Sequence, residues 1–362
     1  MKNKPNTNTH RKTQTQNAPK AKLIKLGIDV HADSYRVVRQ IDNATPQPAQ
    51  KFTPTEFLLW AAKQLAQAGQ VHSCYEAGPF GYELHRALLR MGVQNVVVRP
   101  QNWDELGKGV KTDKTDALAL VQRLDRYVQG NRHALAIVTV PTPQQERARA
   151  LSRHREQLLK DRQTHEAQGR SLLLYHGRRV QGRWWEARLW DSLLKLLEPW
   201  QTQILENLRQ LILLAHKQLE QTEASLLTTA KSPARGFGLL SCELLQREVL
   251  DWSRFKNRRQ VASLTGMCPG VQASGNRRVQ GSITKHGNPR IRRLLVEMAW
   301  RVVRFQPDYG PVKRWKSVLA LKTHPGGRKK AIVAIGRKLA IDLWRLETQR
   351  TTAEKLCLLP AK

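Results

Sequence analysis

Four acidic residues sit at the ends of apolar runs or at the start of a helix, where carboxylates can do chemistry. Asp29 lies near the end of the apolar run LIKLGIDV, between Ile28 and Val30. Glu76 ends a second short run, VHSCYE, before Ala77-Gly78-Pro79 turns the chain away. Asp113 and Asp116 open the helical pattern DKTDALALVQRL, three residues apart and so on one helix face. Acids at a helix N-terminus also suit the helix dipole, which accounts for this pair taken alone without any chemistry. As a set, converging carboxylates repel and raise one another's pKa. A divalent cation removes that cost. Magnesium takes oxygen ligands and keeps waters that phosphate oxygens can replace. Two such ions about 3.5–4 Å apart can activate a nucleophile and stabilise a leaving oxygen in phosphoryl transfer. No histidine shows zinc-ligand spacing, and His31 and His286 read as solvated or phosphate-contacting.

A fifth candidate is Ser274, in the stretch GVQASGNRRVQGSITKHGNPRIRRLL. Around it lie Arg277, Arg278, Lys285, Arg290, Arg292 and Arg293, with no acid before Glu297. These six cations are a candidate nucleic-acid-binding set. Ser274 itself reads either as a turn residue on a basic face or as a nucleophile held over a phosphate. A serine hydroxyl is a weak nucleophile until a base or a metal activates it. Arg and Lys can hold a phosphate but take no proton. A catalytic Ser274 therefore needs the carboxylates brought to it.

The charge balance names the partner class. Lys and Arg number 62 against 29 Asp and Glu, a formal net charge of +33 over 362 residues. Such an excess calls for a polyanion, and nucleic acid fits because phosphate contacts release condensed counterions. An anionic membrane surface is the rival, but the charge is spread along the chain rather than confined to one amphipathic helix. No apolar run approaches the roughly 20 residues of a membrane span. The four cysteines form no CxxC pair, which points to reduced thiols in a cytoplasmic protein.

The elements that must position these residues follow from periodicity. Residues 1–22 are polar, basic and free of acids, and read as a disordered arm. From 23 to 141 the order is hairpin, helix, strand, helix, strand, helix, which predicts an α/β domain with a mixed sheet. Acids at two strand ends suit a site at the carboxyl edge of that sheet. Residues 142–230 carry two long helical patterns separated by the Trp-rich GRWWEARLWDSLLKLLEPW, and predict a helical hairpin or coiled coil for dimerisation or clamping. Residues 231–350 read as mainly helical, with Asn288 capping a helix that starts at Pro289 and THPGGRKK as a loop before the last helix; 351–362 form a tail.

The blocks LGIDVHADSY, YEAGPFGYELHRAL, VKTDKTDALALVQRL and SLTGMCPGVQASGNRRVQGSITKHGNPRIRRLLVEMAW, in this order and spacing, resemble the DEDD-type insertion-sequence transposases, recombinases guided by a bridge RNA. The resemblance runs from about Leu23 to Leu346. It implies an RNase H/RuvC-like first domain whose acid tetrad matches Asp29, Glu76, Asp113 and Asp116 and binds Mg2+, two ions in all. It also implies that Ser274, the serine of a Ser-Gly pair, is essential. Many relatives carry a second serine just before it, where this chain has Ala273, and the region from Gly236 to Leu245 is less regular than in many relatives. The implied partners are donor and target DNA, a non-coding RNA from the same element, and further copies of the chain as a dimer or a tetramer of two dimers, at the nucleoid of a prokaryote. A composite site follows, with acids and serine meeting on one phosphate and a transient phosphoserine link preserving bond energy for strand exchange. Two other readings compete: a metal-dependent, structure-specific nuclease that needs the acids but not Ser274, and a non-catalytic nucleic-acid-binding scaffold.

Overall fold

The computed structural model describes residues 21–100, 113–274, 277–321 and 325–361; the side chains at 113–114, 273–274, 277–278 and 325 lie outside the description. The basic arm therefore falls almost wholly outside the described residues. The chain forms two compact units, residues 1–140 and 141–362. The helices of 142–230 and the elements of 231–350 fall in the same unit.

In the first unit, β1 (Ala21–Val30) carries Ile24, Leu26 and Ile28 on one face, all fully buried. They pack with Phe57 and Ala61 of α1 (Pro54–Gln67) and Leu88 of α2 (Glu83–Arg90). α1 starts at the predicted Thr-Pro-Thr-Glu signal through a capping box between Thr53 and Glu56. The sheet order is β3-β2-β1-β4-β5, with β2 spanning Tyr35–Ile41, β3 Gln50–Phe52, β4 Ala68–Glu76 and β5 Gln94–Val98. β1 pairs antiparallel with β2 and parallel with β4, and β4 pairs parallel with β5. The predicted mixed sheet is thus present, with the three-residue β3 added at its edge.

The other face of β1 presents Lys25, Gly27 and Asp29 to α3 (Asp113–Val128). Gly27 lets the helix approach closely: a Cβ there would lie 2.3 Å from the Ala117 carbonyl oxygen and 2.5 Å from the Val121 nitrogen. Lys25, 1% exposed, pairs with Asp125 further along the helix and donates to the Asp42 carbonyl at 2.7 Å. A buried ammonium needs such partners. The Cys74 thiol of β4 adds a contact to the Leu120 carbonyl at 3.4 Å. Burial, with the charge of Glu76 second, pushes that thiol well above its ordinary pKa, so Cys74 is an inert packing group.

The second unit is helical. α4 (Pro143–Tyr175) and α6 (Pro199–Leu227) pack side by side, with α5 (Ala187–Leu194) between them in sequence. The Trp-rich stretch closes one end of the pair: Trp184, Trp185 and Trp190 pack with Leu173, Leu205 and Ile212. Trp184 lies over Gly169 and donates to the Glu166 carbonyl at 2.9 Å. The rest of the unit centres on α9 (Pro289–Phe305) and α12 (Pro325–Glu347), joined by α7 (Leu239–Val249), α8 (Arg258–Thr265), α10 (Gly310–Arg314) and α11 (Lys316–Ala320) around one apolar core. Two expectations fail here. Pro325-Gly326-Gly327 starts α12 instead of lying in a loop, and the Ser274 stretch forms an antiparallel pair, β6 (Pro269–Ser274) and β7 (Arg277–Ile283), that the sequence did not announce. Among the described residues no helix is long and apolar enough to cross a membrane.

Candidate functional site

The acid site is built by strand register and helix placement. Ile28 and Tyr75 form the last pair between β1 and β4. Asp29 and Glu76 follow them at once, so they stand side by side at the carboxyl edge of two adjacent parallel strands. Both share the parity of Gly27 and Cys74, which places them on the α3 face. Along β1 from Lys25 to Gly27, the helix positions met fall from Asp125 to Val121 and Ala117. The N-terminus of α3 therefore points to the carboxyl edge. Two strand residues beyond Gly27 advance about 6.6 Å. Four helix residues before Ala117 advance about 6 Å. The backbone of Asp113 thus lies level with Asp29 along the strand, with Asp116 behind it. The backbone thus places all four predicted acid positions near one edge of the sheet.

The environment is oxygen-rich and partly open. The Asp29 side chain is 20% exposed, and its Oδ2 lies 3.1 Å from His31 Nε2. Asp116 is half-buried. The positive end of the α3 dipole faces these carboxylates and offsets part of their repulsion. Beside Glu76, burial pushes the Tyr75 hydroxyl up to about 12, so it stays protonated. Among the described residues, no group of three or more His, Cys, Asp or Glu is close enough to hold a metal, with the Asp113 side chain outside that set. The predicted donors are all carboxylate oxygens, the ligand type that hard divalent cations prefer.

The serine site is a two-stranded ribbon on a fixed base. Ser274 pairs with Arg277, the last pair before the two residues that lie outside the description. Sequence reasoning singled out Ser274 but missed the strand pair on which it sits. The base is stitched by backbone bonds: Thr284 N to Cys268 O at 2.8 Å, Lys285 N to Gly266 O at 3.0 Å, and Asn288 N to Leu264 O at 2.8 Å. Asn288 caps α9 by accepting from Arg290 N and Ile291 N, and donates to the buried Glu248 carboxylate at 2.9 Å.

The six candidate cations divide. The side chains of Arg277 and Arg278 lie outside the description. Lys285 is exposed, in the loop between β7 and α9, at φ 58°. Arg292 donates to the carbonyls of Thr265 and Lys285 at 3.3 and 3.4 Å, fastening the ribbon base. Arg290 and Arg293 both hold Glu156 of α4, at 2.6 and 2.8 Å. Their first role is thus to bind α4 to α9, with one positive charge left over between them. Glu156 and Glu248 were not predicted as structural partners, since each sits in an ordinary charged helix pattern.

Two families match this chain in order. The DEDD transposase family of IS110 type covers residues 26–176, and the family described as Transposase IS116/IS110/IS902 covers residues 234–311. A protein of Sinorhizobium fredii named as a transposase is 30% identical, over 81% of this chain and 80% of its own length. The transposase for insertion sequence element IS1111A of Coxiella burnetii is 26% identical, over 74% and 75%. The transposase for insertion sequence element IS1328 of Yersinia enterocolitica is 24% identical, over 91% and 98%. The four predicted acids fall inside the first match and the serine ribbon inside the second, and the chain belongs to the IS110/IS116 family of DEDD insertion-sequence transposases.

Proposed function

We propose that the protein cuts and exchanges DNA strands through a transient phosphoserine link, with an acid site that holds divalent metal and an RNA that directs the choice of DNA. The observation that carries the reading is the placement of Asp29 and Glu76 side by side at the sheet edge, with the start of α3 above them. That arrangement supports an RNase H/RuvC-like role for residues 23–141. Asp29, Glu76, Asp113 and Asp116 would hold the metal, read as two Mg2+. When bound, it neutralises charge at the scissile phosphate and favours loss of the nucleophile's proton.

Ser274 supplies the nucleophile. Its oxygen forms a bond to phosphorus while the bond from phosphorus to a deoxyribose oxygen breaks; the serine proton passes to solvent, and the leaving oxygen takes up a proton to become a hydroxyl. A hydroxyl of a second strand then reverses the step, reforms a phosphodiester and releases the serine. One bond is exchanged for another of the same kind, so no nucleotide cofactor is needed. Arg277, Arg278 and Lys285 would hold the phosphate and offset its developing charge. Arg290, Arg292 and Arg293 would hold the ribbon base and add the field left over from Glu156. The acids and the serine must reach the same phosphate. The partners are donor and target DNA, a non-coding RNA, and further copies of the chain as a dimer or tetramer.

The test is recombination in vitro with Mg2+, with RNA isolated from the purified protein, comparing wild type with Ser274→Ala and Asp29→Ala. Both variants should bind DNA and exchange no strands, and a defined RNA should be required. Cutting that needs Asp29 but survives Ser274→Ala would replace this reading with a metal-dependent nuclease.

A further inference from the structure

A groove in the second unit contains none of the four acids and no residue of the serine ribbon. It has a volume of about 610 Å³, within the roughly 300–1,000 Å³ of small-molecule sites. Its walls are α10, α12 and a 3-10 turn at Glu354–Leu356. Five cations line it, from all three walls: Lys313 and Arg314, Arg337 and Lys338, and Lys355. Lys313 meets Asp308 at 3.1 Å and Lys338 meets Asp342 at 2.9 Å. Arg314, Arg337 and Lys355 have no carboxylate partner among the described residues.

The floor carries one buried anion that is already satisfied. Asp342 is 1% exposed and accepts from the Tyr309 hydroxyl at 2.7 Å, from Lys338, and from Arg345 at 3.3 Å. With three donors on it, Asp342 holds Lys338 in place and leaves the net field of the groove positive. One side of the groove rests on the apolar core, against which Trp315 and Leu356 pack. Trp315 lines it half-buried, next to Leu356, and among the described residues its indole faces no other ring and no cation.

Cations around an aromatic wall match a ligand that offers phosphate and a planar face together. An unpaired nucleotide does so, whereas a duplex hides its base faces in the stack. An acidic peptide would satisfy the cations but leave the indole without a planar partner. We propose that this groove takes an unpaired nucleotide of a single-stranded segment, its base against Trp315 and its phosphates on Arg314, Arg337 and Lys355. The proposal rests only on the reading that the chain handles nucleic acid, and not on the serine chemistry.

The test uses the full-length protein and fluorescence anisotropy with a labelled single-stranded DNA, an RNA of the same sequence, and the DNA duplex. Base stacking is worth about 1–3 kcal/mol. Trp315→Ala should therefore weaken single-strand binding about 5- to 150-fold and leave duplex binding within about twofold. Trp315→Phe should keep most of the affinity, which separates lost stacking from lost folding. Arg337→Gln should flatten the salt dependence by about one counterion. Stronger loss for RNA than for DNA would name a guide strand as the occupant, and the reverse would name a displaced DNA strand. Equal loss on single strand and duplex, unchanged single-strand binding by Trp315→Ala, or an equal loss for a polyglutamate probe would overturn it. Strand exchange by wild type and by Ser274→Ala, measured on the same preparations, shows separately whether the catalytic reading fails.

Discussion

Gly27→Ala tests how tightly the acid site depends on the seating of α3. The added Cβ would fall 2.3 Å from the Ala117 oxygen and 2.5 Å from the Val121 nitrogen, where ordinary contact begins near 3.4 Å. Both atoms are backbone, so no side chain can rotate away. The helix must lift by about 1 Å, at a cost in stability of about 1–3 kcal/mol for an overpacked contact. The Lys25–Asp125 pair and the Cys74 contact to Leu120 hold the later turns of α3. Displacement is then greatest at the start of the helix, where Asp113 and Asp116 sit. A misplacement of 1 Å in a reacting constellation costs on the order of 100-fold in rate. The assay is metal-dependent strand cleavage by Gly27→Ala, at a temperature where melting curves show it folded, beside wild type and Asp29→Ala. The expected result is a lowered Tm and cleavage down about 100-fold. Cleavage within threefold of wild type at an equal folded fraction would refute the argument that α3 sets the geometry.

Asn288→Ala removes the α9 cap and one partner of buried Glu248, and should cost about 2–4 kcal/mol in urea denaturation. Asn288→Asp should keep the cap but set a second carboxylate against Glu248, and so recover only part of that loss. Glu156→Gln should cost about 1 kcal/mol at neutral pH, since the pair is partly exposed. Burial alone would raise the Glu156 pKa, but hydrogen bonds from Arg290 and Arg293, and then their charges, outweigh it and hold it below 4.5. Its stabilisation is therefore complete above pH 4.5 and lost as pH falls through the lowered value, and the gap between wild type and Glu156→Gln, followed by denaturation at successive pH, should close there. Gly169→Ala puts a Cβ 2.1 Å from the Trp184 ring, so the Tm should fall by the equivalent of about 1–3 kcal/mol.

The first unit was largely legible in the sequence because its strands are apolar, β-branched and buried, and their polar exceptions stand out. Asp29 and Glu76 announced themselves as acids closing such runs. Lys25 and Gly27 interrupt the same run, and their meaning depends on Asp125 and Ala117 of a helix about 100 residues away. No local pattern shows that distance closing. The start of α9 was readable because Asn288-Pro289 is a local cap signal. The ribbon was not, because its strands are solvated: Val271, Gln272 and every position from Val279 to Ser282 are exposed, so no alternation marks a buried face. The start of α12 was hidden by Pro325-Gly326-Gly327, whose turn preference is overridden by the burial of Ala331, Ile332 and Ile335 one turn later. The partner of Arg290 lies 134 residues upstream, so a run of cations read as open surface is in part a structural clasp.

The exposure of the ribbon bears on timing. A lone two-stranded pair is marginal in water, and here Val271 and Val279 face solvent at 46% and 43% exposure. Among the described residues, backbone bonds brace the ribbon at its base, through Gly266, Cys268 and Asn288. The exposed faces of both strands are open to support from whatever the ribbon lies against. On the proposed reading, part of the entropy of ordering this ribbon is incurred when nucleic acid arrives, and not during folding. Under the proposed function, strand choice would then be coupled to the ordering of the ribbon itself.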